Sequence, residues 1–169
     1  FDLNYKSAFF DRYSQISIGK LITARTTDEL VENLKETEYY APLKKIKDTD
    51  NVTLYDYNLA LDLYYYTSTW KEQKKILKKS DLELFMRDRG SKIDLLNIQW
   101  IYRAKKYYNM KPADIYLMLI PIHYKLSTEL VKDMVEAPGV EEFENVVIRT
   151  TYARHYNFKQ NLTMEQMYA

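Results

Sequence analysis

TLYDYNLALDLYYYTSTWKEQKKILKKSDLELFMRDRGSKIDLLNIQWIYRAKKYYN, residues 53–109, reads as two long helices with a single break. Thr53 stands in a cap position ahead of Leu54, and Asp56 puts a negative charge in the first turn, where the helix dipole is positive. Leu54, Asn58, Leu61 and Tyr65 fall on one stripe, and Leu59, Leu63, Tyr66 and Trp70 on another. A helix apolar on two sides packs on two sides. Ser80 and Glu83 form a capping box, which places the break at Lys79–Ser80 and starts a helix running to about Asn109. The helices over 53–79 and 81–109 are then expected to form an antiparallel hairpin, each roughly 40 Å long at about 1.5 Å per residue, with Leu61, Leu96 and Trp100 buried. Gly90 weakens the second helix by about 1 kcal/mol relative to alanine and marks the expected place of a kink.

The flanks continue the helical pattern. Thr26 and Glu29 make a second capping box before Leu30 and Leu34, predicting a short helix that ends near Tyr39, Tyr40 and Pro42, followed by a polar stretch from Lys44 to Asn51. Pro112 suits the first turn of a further helix, Pro121 ends it, and Ser127 starts the next. Only 3 glycines and 4 prolines leave little turn material for a many-stranded sheet, so the expected fold class is all-α.

Sliding the chain on itself uncovers a repeat. Leu21 to Tyr39 lies over Met134 to Tyr152 at a constant offset of 113 residues: Ala24 on Ala137, Glu29 on Glu142, Leu30 on Phe143, Leu34 on Val147, Thr37 on Thr150 and Tyr39 on Tyr152. Both segments end in Thr-x-Tyr, and Asn51 to Leu54 lies over Asn161 to Met164 at an offset of 110. A period this long is that of a repeated multi-helix unit rather than a solenoid repeat of about 20–50 residues. Residues 1–125 are expected to be a first helical repeat and 126–169 the start of a second, so that the chain reads as a fragment. On its own it is expected to self-associate through apolar surface that a longer chain would cover.

Composition excludes several chemistries. The absence of cysteine rules out disulfides, thiolate catalysis and cysteine-bound metal, and a reducing compartment is the simplest setting. Lys and Arg number 25 against 24 Asp and Glu, so the net charge of +1 lacks the basic footprint of a nucleic-acid binder, although 17 tyrosines among lysines could otherwise serve as stacking platforms. The most apolar stretch, Ile115 to Ile122, is interrupted by Pro121 and far short of the roughly 20 residues needed to span a bilayer. The N-terminus has no signal-peptide pattern. His123 and His155 have no carboxylate pattern between them, and no phosphate-cradling glycine loop or Gly-x-Ser-x-Gly occurs. No catalytic residue, metal ligand or cofactor is expected.

Asp94-Leu95-Leu96-Asn97, followed by Arg103-Ala104-Lys105, resembles the long-helix signature of the C subunit of archaeal and bacterial V-type ATPases, related to the d subunit of the vacuolar proton pump. Thr37-Glu38-Tyr39 and Thr150-Thr151-Tyr152 resemble that family's repeated Thr-x-Tyr motif, and Leu119-Ile120-Pro121 its Leu-Ile-Pro turn. The resemblance spans about residues 16 to 169 and is specific because the pieces occur in order. It implies a helical protein of three similar domains arranged as a funnel, of which this chain is the N-terminal half. It further implies a non-catalytic central-stalk adaptor that links the rotor shaft subunits to the membrane rotor ring in proton or sodium transport. Such a protein is cytoplasmic and peripheral to the membrane. The alternative is a generic helical scaffold or peptide-binding module.

The residues singled out carry structural roles in this reading. Asp94 and Asn97, three apart, share a helix face with Ile101 and Ala104, so two polar groups lie on a buried stripe and need partners, from a neighbouring backbone or from Arg103 of another copy. Thr37 and Tyr39, like Thr150 and Tyr152, are expected to tie a helix C-terminus to the hairpin, the ring inward and the hydroxyl donating. Lys71, Lys74, Lys75, Lys78 and Lys79 form a basic helix end, expected to be solvated.

Overall fold

The computed structural model describes residues 16–48 and 51–155. Among these, every regular element is a helix: α1 Ile18–Thr23, α2 Thr27–Asn33, α3 Tyr40–Lys47, α4 Leu54–Ile76, α5 Lys79–Tyr108, α6 Pro112–Met118, α7 Thr128–Glu136 and α8 Val140–Ile148, then a 3-10 turn Ala153–His155. The second match of the repeat, from Asn161, lies outside the described residues. Two compact units, Phe1–Tyr65 and Tyr66–Ala169, divide the chain within α4.

In the first unit, Thr26 caps α2: its side chain accepts from Glu29 N at 3.1 Å, while the Glu29 carboxylate accepts from Arg25 N at 2.7 Å. The sequence reading carries this helix on to Tyr39–Tyr40, but it stops at Asn33. The Leu34 carbonyl is taken by both the backbone N–H and the hydroxyl of Thr37, at 2.8 and 2.7 Å, which turns the chain. A separate helix, α3, then starts at Tyr40 and includes part of the stretch read as polar linker. Pro42 falls in its first turn, where a missing N–H costs nothing. Val31, Leu34 and Leu43 form the core, with Leu21, Tyr39, Tyr57 and Leu61 packed against it. Thr53 precedes α4 and gives its N–H and hydroxyl to the Asp56 carboxylate at 2.8 and 2.7 Å, bonds that hold that carboxyl below its ordinary range.

In the second unit, α4 and α5 are separated by Leu77 and Lys78, and Trp70 meets Phe85 across the break at 5.6 Å. Helix α5 begins at Lys79, one residue before Ser80, with extended Lys78 as a cap that has no side-chain bond; Ser80 is already inside the helix. Its buried face carries Gly90, Ile93, Asp94, Asn97, Ile98, Ile101 and Ala104, at three- and four-residue spacing. Helices α7 and α8 pack on each other and both pack on α5, which is why the compact unit crosses the sequence-repeat boundary at 125/126. Ile98, Ile101, Ile115, Met134, Val135, Phe143 and Val147 make the core. Leu61, Leu96 and Trp100, expected to be buried, are half-buried: Leu61 packs against the first unit's core from a helix with no fully buried residue, and Leu96 and Trp100 flank the buried face of α5.

Gly90 proves to be a contact point. Helix α5 continues through it, and the Tyr124 ring lies where a side chain would begin, so that a Cβ at Gly90 would come within 2.6 Å of Tyr124 Cγ. Gly90→Ala should therefore destabilise by about 1–3 kcal/mol of overpacking, against a helix-propensity gain of only about 1 kcal/mol. A rise in thermal midpoint on this substitution would show that Tyr124 moves aside freely.

Candidate functional site

Asp94 and Asn97 are fully buried and act on the same connection, the irregular segment from Leu119 to Ser127 that joins α6 to α7. Asn97 makes a reciprocal pair with Ile120: its amide donates to the Ile120 carbonyl at 2.9 Å, and its oxygen accepts from Ile120 N at 2.9 Å. Three residues earlier, the Asp94 carboxylate accepts from Tyr124 N at 3.1 Å, Lys125 N at 2.7 Å and Leu126 N at 3.1 Å. The Tyr152 hydroxyl donates a fourth bond at 2.8 Å. Pro121 lies between the two anchored stretches, which suits a segment that cannot continue a helix.

A carboxylate taken out of water costs several kcal/mol unless its lone pairs are met. Here three backbone N–H groups in succession and one phenol meet them, a concave arrangement of donors of the kind that holds anions. No buried side-chain polar atom among the described residues lacks a partner. Arg103, considered as a partner from the sequence, is exposed on α5, and the backbone takes the role instead.

Thr150 delivers Tyr152 to this centre. The Val147 carbonyl accepts from Thr150 N at 2.9 Å and from its hydroxyl at 2.7 Å, and the hydroxyl oxygen in turn accepts from Tyr152 N at 3.2 Å. Burial, and then the bond to Asp94, push the Tyr152 phenol well above its ordinary pKa of 10.0. The folded state thus holds the proton more tightly than the unfolded state. Its contribution to stability is complete below about pH 10 and fades as pH rises beyond that value. The stability gap between wild type and Tyr152→Phe should accordingly be constant from neutral pH to about pH 9 and narrow above about pH 10; a gap that widens there would contradict the assignment.

Thr37 repeats the Thr150 geometry on the Leu34 carbonyl. Tyr39 is half-buried, its ring edge-on to Tyr64 at 5.9 Å. Its phenol is raised by burial first and then by the neighbouring Glu38 carboxylate, which also accepts from Tyr64 OH at 2.9 Å.

Lys105 entered the sequence reading only as the last residue of the Arg103-Ala104-Lys105 signature and was given no role there. It lies eleven residues after Asp94 and donates to the carbonyls of Val135 and Ala137 at 2.7 and 2.6 Å, closing the C-terminal end of α7. Burial pulls its ammonium below the ordinary value. Besides that signature, its spacing from Asp94 on one helix face is a sequence signal that marks it. The lysines at 71, 74, 75, 78 and 79 are exposed, as is His123. No cluster of metal-ligating side chains occurs among the described residues, and no helix there is long and apolar enough to cross a membrane.

Residues 3–168 match the family described as ATP synthase (C/AC39) subunit. The C subunit of the A-type ATP synthase of Methanosarcina mazei is 31% identical over 140 residues, covering 83% of this chain and 37% of the relative. The same protein of Methanosarcina barkeri is 29% identical over 140 residues, with the same coverage. That of Methanobrevibacter smithii is 28% identical over 138 residues, covering 80% of this chain and 35% of the relative. The chain thus spans little more than a third of the length of these relatives. No solved structure matches it.

Proposed function

Since the chain belongs to the ATP synthase (C/AC39) subunit family, we propose that it forms part of a non-catalytic adaptor in the central stalk of a rotary ATPase, fitted between the rotor shaft subunits and the membrane rotor ring. The observation that carries the proposal is the family match over residues 3–168. The chemistry of the conspicuous polar residues supports it: Asp94, Asn97, Thr150 and Tyr152 all bind backbone or one another inside the fold, as stiffening elements do. Torque transfer requires stiffness, which close-packed helices with satisfied buried polar groups provide without cofactor or chemistry. The adaptor acts on the cytoplasmic side, peripheral to the membrane through the complex, in proton or sodium transport coupled to ATP.

The architecture proposed with it is a repeated multi-helix unit, residues 1–125 and 126–169, containing an antiparallel hairpin of α4 and α5 and belonging to a three-repeat funnel. Trp70 and Phe85 meet at 5.6 Å across the break at Leu77 and Lys78, which supports a fold-back at that end of the two helices. The repeat is supported by local geometry: Ala24 and Ala137 are both extended after a short helix, at ψ 128° and 131°. A second helix follows in each copy and ends where Thr37 or Thr150 doubly bonds the carbonyl of Leu34 or Val147.

The test is co-sedimentation of the full-length gene product with purified shaft subunits and, separately, with the detergent-solubilised ring. Binding to both is expected. A protein that binds neither is no adaptor.

A further inference from the structure

The charges of the chain are unevenly placed. Lys71, Lys74, Lys75, Lys78 and Lys79 stand with a single carboxylate, Glu72, in nine residues, whereas the rest of the sequence holds 20 Lys and Arg against 23 Asp and Glu. Lys71, Lys74 and Lys75, at spacings of three and four, share one face at the end of α4; Lys78 stands in the connection and Lys79 opens α5. Leu77 and Lys78 alone separate the two helices, and Trp70 meets Phe85 across them, so the five lysines gather at one tip of the second unit.

Two properties set this tip apart from an ordinary solvated face. Among the described residues no carboxylate pairs with any of the five, while Lys47 reaches Asp28 and Glu32 at 3.8 and 3.4 Å and Lys132 reaches Glu136 at 4.0 Å. An apolar side chain also stands open among them: Ile76 is 72% exposed, more than any other large apolar residue described except Leu117. Lysine stems can lie along such a side chain while their ammonium groups stay in water.

The chemistry favours a lipid surface over a protein. Protein carboxylates are best met by the planar, bidentate fork of arginine, and no arginine stands among the five, although Arg87 and Arg89 follow on α5. Hydrated point charges on flexible stems around an exposed isoleucine suit instead a plane of many anionic headgroups above an apolar layer.

We propose that the tip formed by residues 71–79 docks on the surface of an anionic phospholipid bilayer, with the five ammonium groups among the headgroup phosphates and Ile76 at the acyl boundary. This contact is with lipid itself, and it does not rest on the adaptor reading.

Vesicle flotation of the full-length gene product tests it, with phosphatidylcholine vesicles compared with vesicles containing about one third phosphatidylglycerol. Each lysine near an anionic surface is worth about fivefold in partition, so binding to the anionic vesicles should exceed that to the neutral ones by at least about thirtyfold. It should fall at least about tenfold when salt rises from about 0.1 M to about 1 M, where the Debye length shrinks from about 10 to 3 Å. Lys71→Gln, Lys74→Gln, Lys75→Gln, Lys78→Gln and Lys79→Gln together should bring anionic binding down to the neutral level. The same change at the exposed Lys20, Lys35, Lys45, Lys92 and Lys111, equal in charge, should weaken it less than about threefold. Ile76→Ser should weaken it about fivefold and leave the salt dependence unchanged. Equal binding to the two kinds of vesicle, or equal losses in the two fivefold-substituted proteins, overturns the proposal. So does a tip variant that binds vesicles like wild type but no longer binds purified shaft subunits, which would make the tip a protein contact. A protein that binds anionic vesicles through the tip but neither shaft nor ring upholds this inference and sinks the adaptor reading alone.

Discussion

Asp94→Ala should lower the unfolding free energy by about 3–5 kcal/mol, the largest effect expected of any single substitution, because it strands several buried donors at about 1–3 kcal/mol each. Three of these donors are the N–H groups of Tyr124, Lys125 and Leu126, and the fourth is the Tyr152 hydroxyl. Against a total stability of about 5–15 kcal/mol for a domain, the loss brings the chain near unfolding. Urea denaturation measures it, and hydrogen exchange at residues 124–126 should accelerate well before global unfolding. Tyr152→Phe removes one of the four bonds, so the double variant should be less destabilised than the sum of the singles. A midpoint within about 0.5 kcal/mol of wild type would mean that water replaces the carboxylate and that Asp94 is no anchor.

Asn97→Leu is the second large effect, about 1–3 kcal/mol, because it leaves the N–H of Ile120 buried and unpaired and takes from the Ile120 carbonyl one of its two donors, Ile122 N remaining at 2.8 Å, while roughly preserving side-chain volume. The circular-dichroism signal of the helices should survive at low temperature, since the lost bonds hold a connection and not a helix. Wild-type stability in this variant would place Ile120 within reach of solvent.

These two residues also mark how far the sequence could be read. Thr26, Thr53 and Ser127 were legible as helix starts because each cap and its partner lie within four residues. Ser80 with Glu83 has the same pattern but no such bond, since Lys78 turns into the helix two residues earlier and both side chains remain exposed. The helix from Thr27 was carried too far, to Tyr39 and Tyr40, because the Thr37 hydroxyl captures the Leu34 carbonyl, a local competition that periodicity does not register. Asp94 and Asn97 announced themselves as polar residues on an apolar stripe, yet their partners lie 23 to 58 residues away, beyond any local pattern. Gly90 was read as a weak point for the same reason, with the Tyr124 ring that needs the space 34 residues downstream. Lys105 was quoted within a signature but its role was not legible, because a lysine stem on a helix margin looks the same whether its ammonium meets water or two carbonyls.

The most direct measurement of the adaptor role is coupling in the assembled machine. Complexes reconstituted into vesicles with and without the full-length gene product are compared for ATP hydrolysis and for ion uptake in the same preparation. The adaptor reading predicts that hydrolysis persists without the protein while uptake is lost, and that adding it back restores uptake. Uptake that proceeds equally well in its absence, or hydrolysis that stops for want of it, would contradict a non-catalytic link between shaft and ring.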